Sequence, residues 1–345
     1  MVVKKEVEIG GRLFSIETGK YAKQANGSVM VRYGDTMVLV TAVAASEAKE
    51  GLDYFPLQVE YREKTSAAGK FPGGYIKREG RPTEKEILSS RLCDRPIRPL
   101  FPPSFTNETQ VVAMVMSYDG ENDPDVLAAC GASAALAISD IPFDGPMAEV
   151  RIGRIGGELI VNPTHEQIKL GDIELVVAGT ADSIMMVEGE SKEVSEQELL
   201  DALKFAQQEI KKIVDLQNQL SADAGKTKWV VAEKTIDANI KKDIYDLAEV
   251  KYKEIVYSIL AKEERSAKNK ELSESVKKAL AEKYLEQEKV IGEILHDMEK
   301  DLMRERILKE GIRLDGRNTT QVRPITIELG NLPRTHGSAL FTRGE

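Results

Sequence analysis

Two short alternations of apolar and polar residues open the chain, Val7–Ile9 and Leu13–Ile16, on either side of Gly10-Gly11. That order predicts a β-hairpin. Ser28–Tyr33 and Thr36–Val43 repeat the arrangement around Gly34-Asp35, and Leu57–Tyr61 predicts a shorter strand. A helix is predicted to start near Thr83, because Thr83 and Glu86 have the spacing of a capping box, in which each side chain satisfies a free N–H of the first turn. Gln110–Tyr118, rich in Val and Met, predicts another strand. Asp123-Pro124 then reads as an N-cap followed by proline at the first helical position, opening an alanine-rich helix from Asp125 to about Ser139. Gly131 and Ser133 in that helix are small enough to let it pack close to a sheet. Strands are predicted at Ala148–Ile155, Glu158–Val161, Ile173–Gly179 and Ile184–Val187, and a second capping box, Ser195 with Glu198, opens a helix to about Leu220. Residues 1–215 therefore read as an α/β domain.

The pattern changes near residue 216. From Leu216 to Glu310 there are 19 Lys/Arg and 20 Asp/Glu in 95 residues, glycine only at 225 and 292, and no proline. Strong helix formers without breakers, with apolar residues three and four apart (Ile240, Ile244, Leu247; Leu280, Tyr284; Ile291, Leu295), predict an all-helical domain of two to four helices over 216–310. Heptads are not sustained, which argues against a coiled-coil arm. At Gly311 the α/β character returns: Ile312–Arg317 is turn-like and Val322–Leu329 alternates as a strand does.

The end repeats the beginning. Ile16-Glu17-Thr18-Gly19 matches Ile327-Glu328-Leu329-Gly330 at an offset of 311, and Lys23 matches Arg334 at the same offset. Gly27-Ser28 and Gly34-Asp35 match Gly337-Ser338 and Gly344-Glu345 at an offset of 310. The expectation is a tandem α/β duplication with the helical domain between the copies, the second copy, 311–345, being cut short.

Composition narrows the function. A length of 345 residues predicts about two or three domains. The longest purely apolar runs are a few residues, such as Met37–Val40, so no membrane span is expected, and the N-terminus has no apolar signal region. Two cysteines and three histidines are too few for a disulfide framework or a four-ligand zinc site, which suits the cytoplasm. A net charge of −9 argues against a general nucleic-acid coat protein. Yet Tyr61–Arg98 holds ten Lys/Arg against five Asp/Glu. One basic segment on an acidic body suits a guided path for a polyanion.

Two stretches of that segment carry candidate chemistry. Gly69–Pro82 has the glycines and prolines of a loop; Tyr75 can stack on a base, and Lys77, Arg78 and Arg81 can reach phosphates, the usual pairing for single strands. Arg91, Arg95 and Arg98 follow at i, i+4, i+7, which places them on one helix face, although Pro96 disturbs the register after Arg95 and Asp94 can neutralise one arginine. Asp119, Asp123 and Asp125 form an acidic cluster, of which Asp123 and Asp125 read as helix-start residues; His165 and His296 read as structural. No Gly-x-x-x-x-Gly-Lys-Ser/Thr phosphate loop is present, so a small-molecule kinase is disfavoured.

In Gly19–Val43, Gly69–Pro102, Asn122–Ile141 and Gly311–Glu345 the sequence resembles the ribonuclease PH family, and within it the bacterial polynucleotide phosphorylases. The resemblance implies an α+β ribonuclease-PH-like fold (ribosomal protein S5 domain 2-like), an all-α domain, and a second ribonuclease-PH-like domain. It implies the N-terminal part of a 3′-to-5′ exoribonuclease that degrades mRNA with inorganic phosphate and releases nucleoside diphosphates. Its partners would be single-stranded RNA, a homotrimeric ring and an RNA-degradation complex. The family's loop that constricts the ring channel corresponds here to Tyr75-Ile76-Lys77-Arg78, where the family commonly has Phe-Phe-Arg-Arg; Ile76 lacks an aromatic face, and Lys77 lacks the bidentate reach of arginine. Arg81 and Arg98 correspond to further positions implicated in RNA handling. The family's catalytic carboxylates, Mg2+ ligands and phosphate-binding serine belong deeper in the second copy, so no catalytic or metal residue is expected here and the 345-residue chain alone is expected to be inactive. The alternative is a non-enzymatic RNA-binding or assembly module.

Overall fold

Strands β1 (Val3–Ile9), β2 (Arg12–Thr18), β3 (Gly27–Tyr33) and β4 (Thr36–Ala44) form a continuous antiparallel meander. Gly10 and Gly11 both have positive φ between the paired residues Ile9 and Arg12, as a type I′ hairpin turn requires; between β3 and β4 the positive φ falls on Gly34. The computed structural model describes residues 1–49, 54–231, 237–285 and 287–344. Strand β5 (Leu57–Glu63) leads to helix α1 (Glu84–Ile97) and then to β6 (Thr109–Ser117), and β5 and β6 pair in parallel. A parallel pair needs a crossover, and α1 lies within it. The capping box predicted at Thr83 and Glu86 is present. The first sheet has the order β1-β2-β3-β4-β6-β5.

Helix α2 (Asp125–Ile138) is buried along its whole length and packs on β3 and β4. It is apolar all round, as a helix enclosed by layers must be. A Cβ on Gly131 would lie 2.5 Å from Val40 Cγ2, so the small residue does set this close approach. Next come β7 (Ala148–Ile155), β8 (Glu158–Val161), the short α3 (His165–Leu170), β9 (Ile173–Gly179) and β10 (Ile184–Ser191), which make a second antiparallel sheet of order β10-β9-β7-β8. Helix α4 (Glu196–Ala224) starts at the predicted Ser195–Glu198 box and packs against β1, β7 and α2. One core runs through both sheets, α1, α2 and α4.

The composition change near residue 216 falls inside α4: Leu216 and Leu220 are buried in this first core. The chain divides into two compact units, 1–233 and 234–345. In the second, α5 (Ala238–Tyr257), α6 (Lys262–Leu280) and α7 (Glu288–Glu310) surround their own core, which includes Ile240, Ile244, Val276, Leu280, Ile291 and Leu295. Leu247 faces solvent instead, and Tyr284 packs at the edge of that core. Among the described residues no helix is long and apolar enough to cross a membrane.

The same unit ends in the hairpin β11 (Ile325–Leu329) and β12 (Ala339–Arg343). Its register bears on the internal repeat. Ile16↔Val31, Glu17↔Met30 and Thr18↔Val29 pair in β2–β3, and Ile327↔Phe341, Glu328↔Leu340 and Leu329↔Ala339 pair in β11–β12. Adding 311 on the first strand and 310 on the second carries one set onto the other. Gly19 and Gly330, and Gly34 and Gly344, share positive φ. The last residue of the sequence match, Glu345, lies outside the described residues.

Candidate nucleic-acid interface

The loop between β5 and α1 is tied down at its base. A 3₁₀ turn, Thr65–Ala68, is held to the first sheet by Tyr118 N–H donating to Ala67 O. Glu79 Oε1 accepts from both Thr65 N and Thr65 Oγ1, at 3.1 and 3.0 Å, and Arg62 donates to Gly80 O at 3.2 Å. Between these ties the chain turns at Gly74 and Lys77, both with positive φ. Phe71, Tyr75 and Ile76 are 90%, 101% and 79% exposed. Tyr75, Lys77, Arg78 and Arg81 have no side-chain hydrogen bond or ion pair among the described residues. The loop therefore presents one aromatic ring and three unspent cations to solvent, on a fixed base.

The three arginines of α1 part company. Pro96 is accommodated inside the helix, which runs to Ile97, and Arg98 N–H still donates to Asp94 O, so the backbone register is kept. The side chains diverge through their partners. Arg91 is exposed and unpaired among the described residues. Arg95 pairs with Glu188 on β10. Arg98 grips Asp94 through Nε and Nη2 at 3.0 and 2.6 Å, and donates to Phe55 O and Leu57 O at the start of β5. Arg98 thus fastens α1 to the first sheet.

A second feature adjoins the start of α1: a cavity of about 610 Å³ whose lining includes Lys85, Asp123, Asp125, Arg151, Glu174 and Glu188. Here the structure corrects the expectation for Asp123. The N-cap of α2 is Pro124, with no side-chain cap. Arg151 on β7 draws the carboxylates away instead, with Nη2 at 2.5 Å from Asp125 and 3.5 Å from Asp123, and Nη1 at 2.5 Å from Glu174. Lys85 bridges Glu63 and Asp123 at 2.9 and 3.5 Å. Asp119 is elsewhere, accepting from Glu121 N, Asn122 N and Asn122 Nδ2. Burial opposes its ionisation, but these bonds hold its pKa down at about 2. Burial lifts Asp125 to about 6 against the pull of Arg151, with Asp123 adding to the rise. Glu149, fully buried beside this group, is pushed well above the usual carboxylate range by burial and by Asp125.

Sequence reasoning passed over Lys85, Glu149, Arg151 and Glu174. The available signal was a pair of charged residues two apart, Glu149 and Arg151, in a strand whose other residues apart from Arg154 are apolar or glycine: alternation sends both to one face. His165 accords with its structural reading, with Nε2 2.7 Å from Tyr118 Oη and Thr164 capping α3. Among the described residues no group of three or more His, Cys, Asp or Glu is arranged to hold a metal ion. The carboxylates that do gather, Asp123, Asp125 and Glu174, close on the Arg151 guanidinium.

Three family models match consecutive stretches: "3' exoribonuclease family, domain 1" over residues 10–142, "3' exoribonuclease family, domain 2" over 145–209, and "Polyribonucleotide nucleotidyltransferase, RNA binding domain" over 239–318. Curated polyribonucleotide nucleotidyltransferases are similar along the whole chain. That of Geobacter sulfurreducens is 51% identical over 99% of this chain and 49% of its own length; that of Chlorobaculum parvum is 51% identical over 100% and 50%; that of Persephonella marina is 51% identical over 100% and 48%. The chain spans about half the length of these relatives. A crystal structure of rice Rrp46 aligns with 64% of this chain and 94% of its own, at 13% identity and a TM-score of 0.47. With the first two models falling on two sheets that share one core and the third on the helical unit, the chain belongs to the polyribonucleotide nucleotidyltransferase branch of the ribonuclease PH family.

Proposed function

We propose that the full-length protein is a phosphorolytic 3′-to-5′ exoribonuclease acting on mRNA, and that residues 1–345 supply its RNA entrance and part of its assembly scaffold. In this reaction an oxygen of inorganic phosphate attacks the phosphorus of the 3′-terminal phosphodiester. The bond to the O3′ of the preceding nucleotide breaks, that oxygen takes a proton, and a nucleoside diphosphate leaves. The observation that carries the reading is about 50% identity to curated polyribonucleotide nucleotidyltransferases over the whole chain. Tyr75 stacks on a base while Lys77, Arg78, Arg81 and Arg91 neutralise phosphates. Arg95 and Arg98 reach RNA only by leaving Glu188 and Asp94. A homotrimer, cytoplasmic location and association with an RNA-degradation complex belong to the same proposal.

Phosphoryl transfer calls for a cationic clamp on the developing charge. The described residues do not fit Mg2+, because Arg151 already occupies the centre of the group formed by Asp123, Asp125 and Glu174. The chemistry is accordingly proposed to lie outside residues 1–345. The test is phosphate-dependent release of nucleoside diphosphate from poly(A). Release by the full-length protein and none by the 345-residue chain is expected. Robust release by the shorter chain would overturn the placement of the chemistry. No release by the longer one would leave a non-enzymatic RNA-binding or assembly module.

A further inference from the structure

We propose that Phe71 is a second base-stacking platform, so that the loop holds two successive unpaired nucleobases, one on Phe71 and one on Tyr75, and thereby selects single-stranded RNA over duplex. This rests on the reading of residues 69–82 as an RNA-contacting loop.

Three observations carry it. Phe71 is 90% exposed, yet every other phenylalanine of the first unit, Phe14, Phe55, Phe101, Phe105, Phe143 and Phe205, packs in or against its core. Among the described residues Phe71 has no aromatic or cationic ring contact, whereas Phe55, Phe101, Phe105 and Phe143 stack on one another. A ring left in water is a cost without return unless something covers it.

Next, the ring is held on a fixed base. Gly69 N–H donates to Ser66 O and Lys70 N–H to Thr65 O, so the chain is fastened up to the residue before Phe71, and Glu79 clips the other side. Three residues separate Phe71 from Tyr75, at most about 14 Å of chain from Cα to Cα. Pro72 limits the freedom of that link, while Gly73 and the positive-φ Gly74 let it bend, and a Cβ at either glycine would meet nothing within 4 Å. There is open space beside the link.

Finally, charge surrounds the pair. Lys70, Lys77, Arg78 and Arg81 are unpaired among the described residues and flank the two rings on both sides, and rings beside cations suit the bases and phosphates of a single strand. A duplex hides its base faces in the stack and can use only the cations.

The experiment measures anisotropy of labelled oligo(A) and of a matched duplex with the full-length protein, in EDTA and without phosphate, over a salt series. Phe71→Ala is expected to weaken oligo(A) binding at least about fivefold, to leave duplex binding unchanged and to preserve the salt slope, because no phosphate contact is lost. Phe71→Trp is expected to bind like the wild type and Phe71→Leu like the alanine variant. Equal loss on duplex and single strand, or full retention by Phe71→Leu, would overturn stacking. A changed oligomeric state with unchanged affinity per assembled particle would make Phe71 an assembly contact and also overturn it. Lys77→Ala with Arg78→Ala separates this from the parent reading: a weaker and less salt-dependent affinity there, with no effect of Phe71→Ala, sinks only the proposal about Phe71. No effect of either variant sinks the RNA-contacting loop.

Discussion

Glu149 gives the most exposed test of the buried charge group. It has no solvent exposure, and neither carboxyl oxygen has a hydrogen-bond partner. Burial pushes its pKa well above the ordinary 4.5, Asp125 pushes the same way, and Arg151 opposes them. In the unfolded chain the group titrates at its ordinary value. Between the two values the folded chain holds one proton more than the unfolded chain, so stability falls as pH rises. The contribution of the protonated acid is whole below 4.5 and is lost on the way up to the folded pKa, at about 1.4 kcal/mol per pH unit. Between about pH 6, where Asp125 titrates, and about pH 8, where Lys228 does, the slope is read against Glu149→Gln, which keeps both of those groups. As long as the pH stays below the folded pKa, the wild type should lose stability at up to about 1.4 kcal/mol per pH unit. Glu149→Gln keeps the shape and removes the titration; whatever the amide itself costs is the same at both ends of that range. Urea unfolding can be followed by Trp229, the single tryptophan, whose ring lies 6.5 Å from that of Phe105 in the same unit. At an m value of about 2–3 kcal/mol/M, the wild-type midpoint should drop with rising pH by up to roughly 0.5–0.7 M per pH unit, while that of Glu149→Gln stays still. Parallel midpoints in the two proteins would refute a protonated Glu149 in the folded state.

Two further changes probe the packing that positions the loop. Arg98→Ala should cost about 1 kcal/mol, since the lost bonds to Asp94, Phe55 O and Leu57 O involve a half-exposed side chain, and should leave the salt slope of RNA binding unchanged. A slope reduced by about 0.7 would show that Arg98 reaches a phosphate. Gly131→Ala brings a Cβ to 2.5 Å from Val40 Cγ2 and 2.9 Å from Val31 Cγ2. Overpacking of about 1–3 kcal/mol outweighs a helix-propensity gain of about 1 kcal/mol, so the Trp229-monitored midpoint should fall; a rise would show that α2 does not approach the sheet this closely.

The elements were legible wherever their cause is local. Both predicted capping boxes are present because the two side chains and the two N–H groups they satisfy lie within one turn. The hairpin at Gly10-Gly11 follows from two residues that tolerate positive φ. Asp123 was misread for the opposite reason. Its local signal, an acid before Pro124, was that of a cap, but Arg151 lies 28 residues further on and offers a charged partner that a cap cannot match. Arg95 and Arg98 show the same limit. Helical spacing set where they start, whereas Glu188, 93 residues away in sequence, and the carbonyls of Phe55 and Leu57 decide where they end. The loop cations are legible because nothing distant competes for them.

The two copies of the hairpin separate these causes within one chain. β2–β3 and β11–β12 share their pairing register and their positive-φ glycines, so the backbone follows the local sequence in both. Their burial differs completely. Ile16 and Val31 are 0% exposed, while their counterparts Ile327 and Phe341 are 62% and 60% exposed. The difference lies in the layers above: α2 packs on β3, and β4 and β1 extend the sheet on either side. A two-stranded ribbon alone is marginal in water, and burial supplies what hydrogen bonding does not. Register is therefore a property of the hairpin, and stability a property of what covers it. The shared register follows from turn and strand residues that match in the two copies.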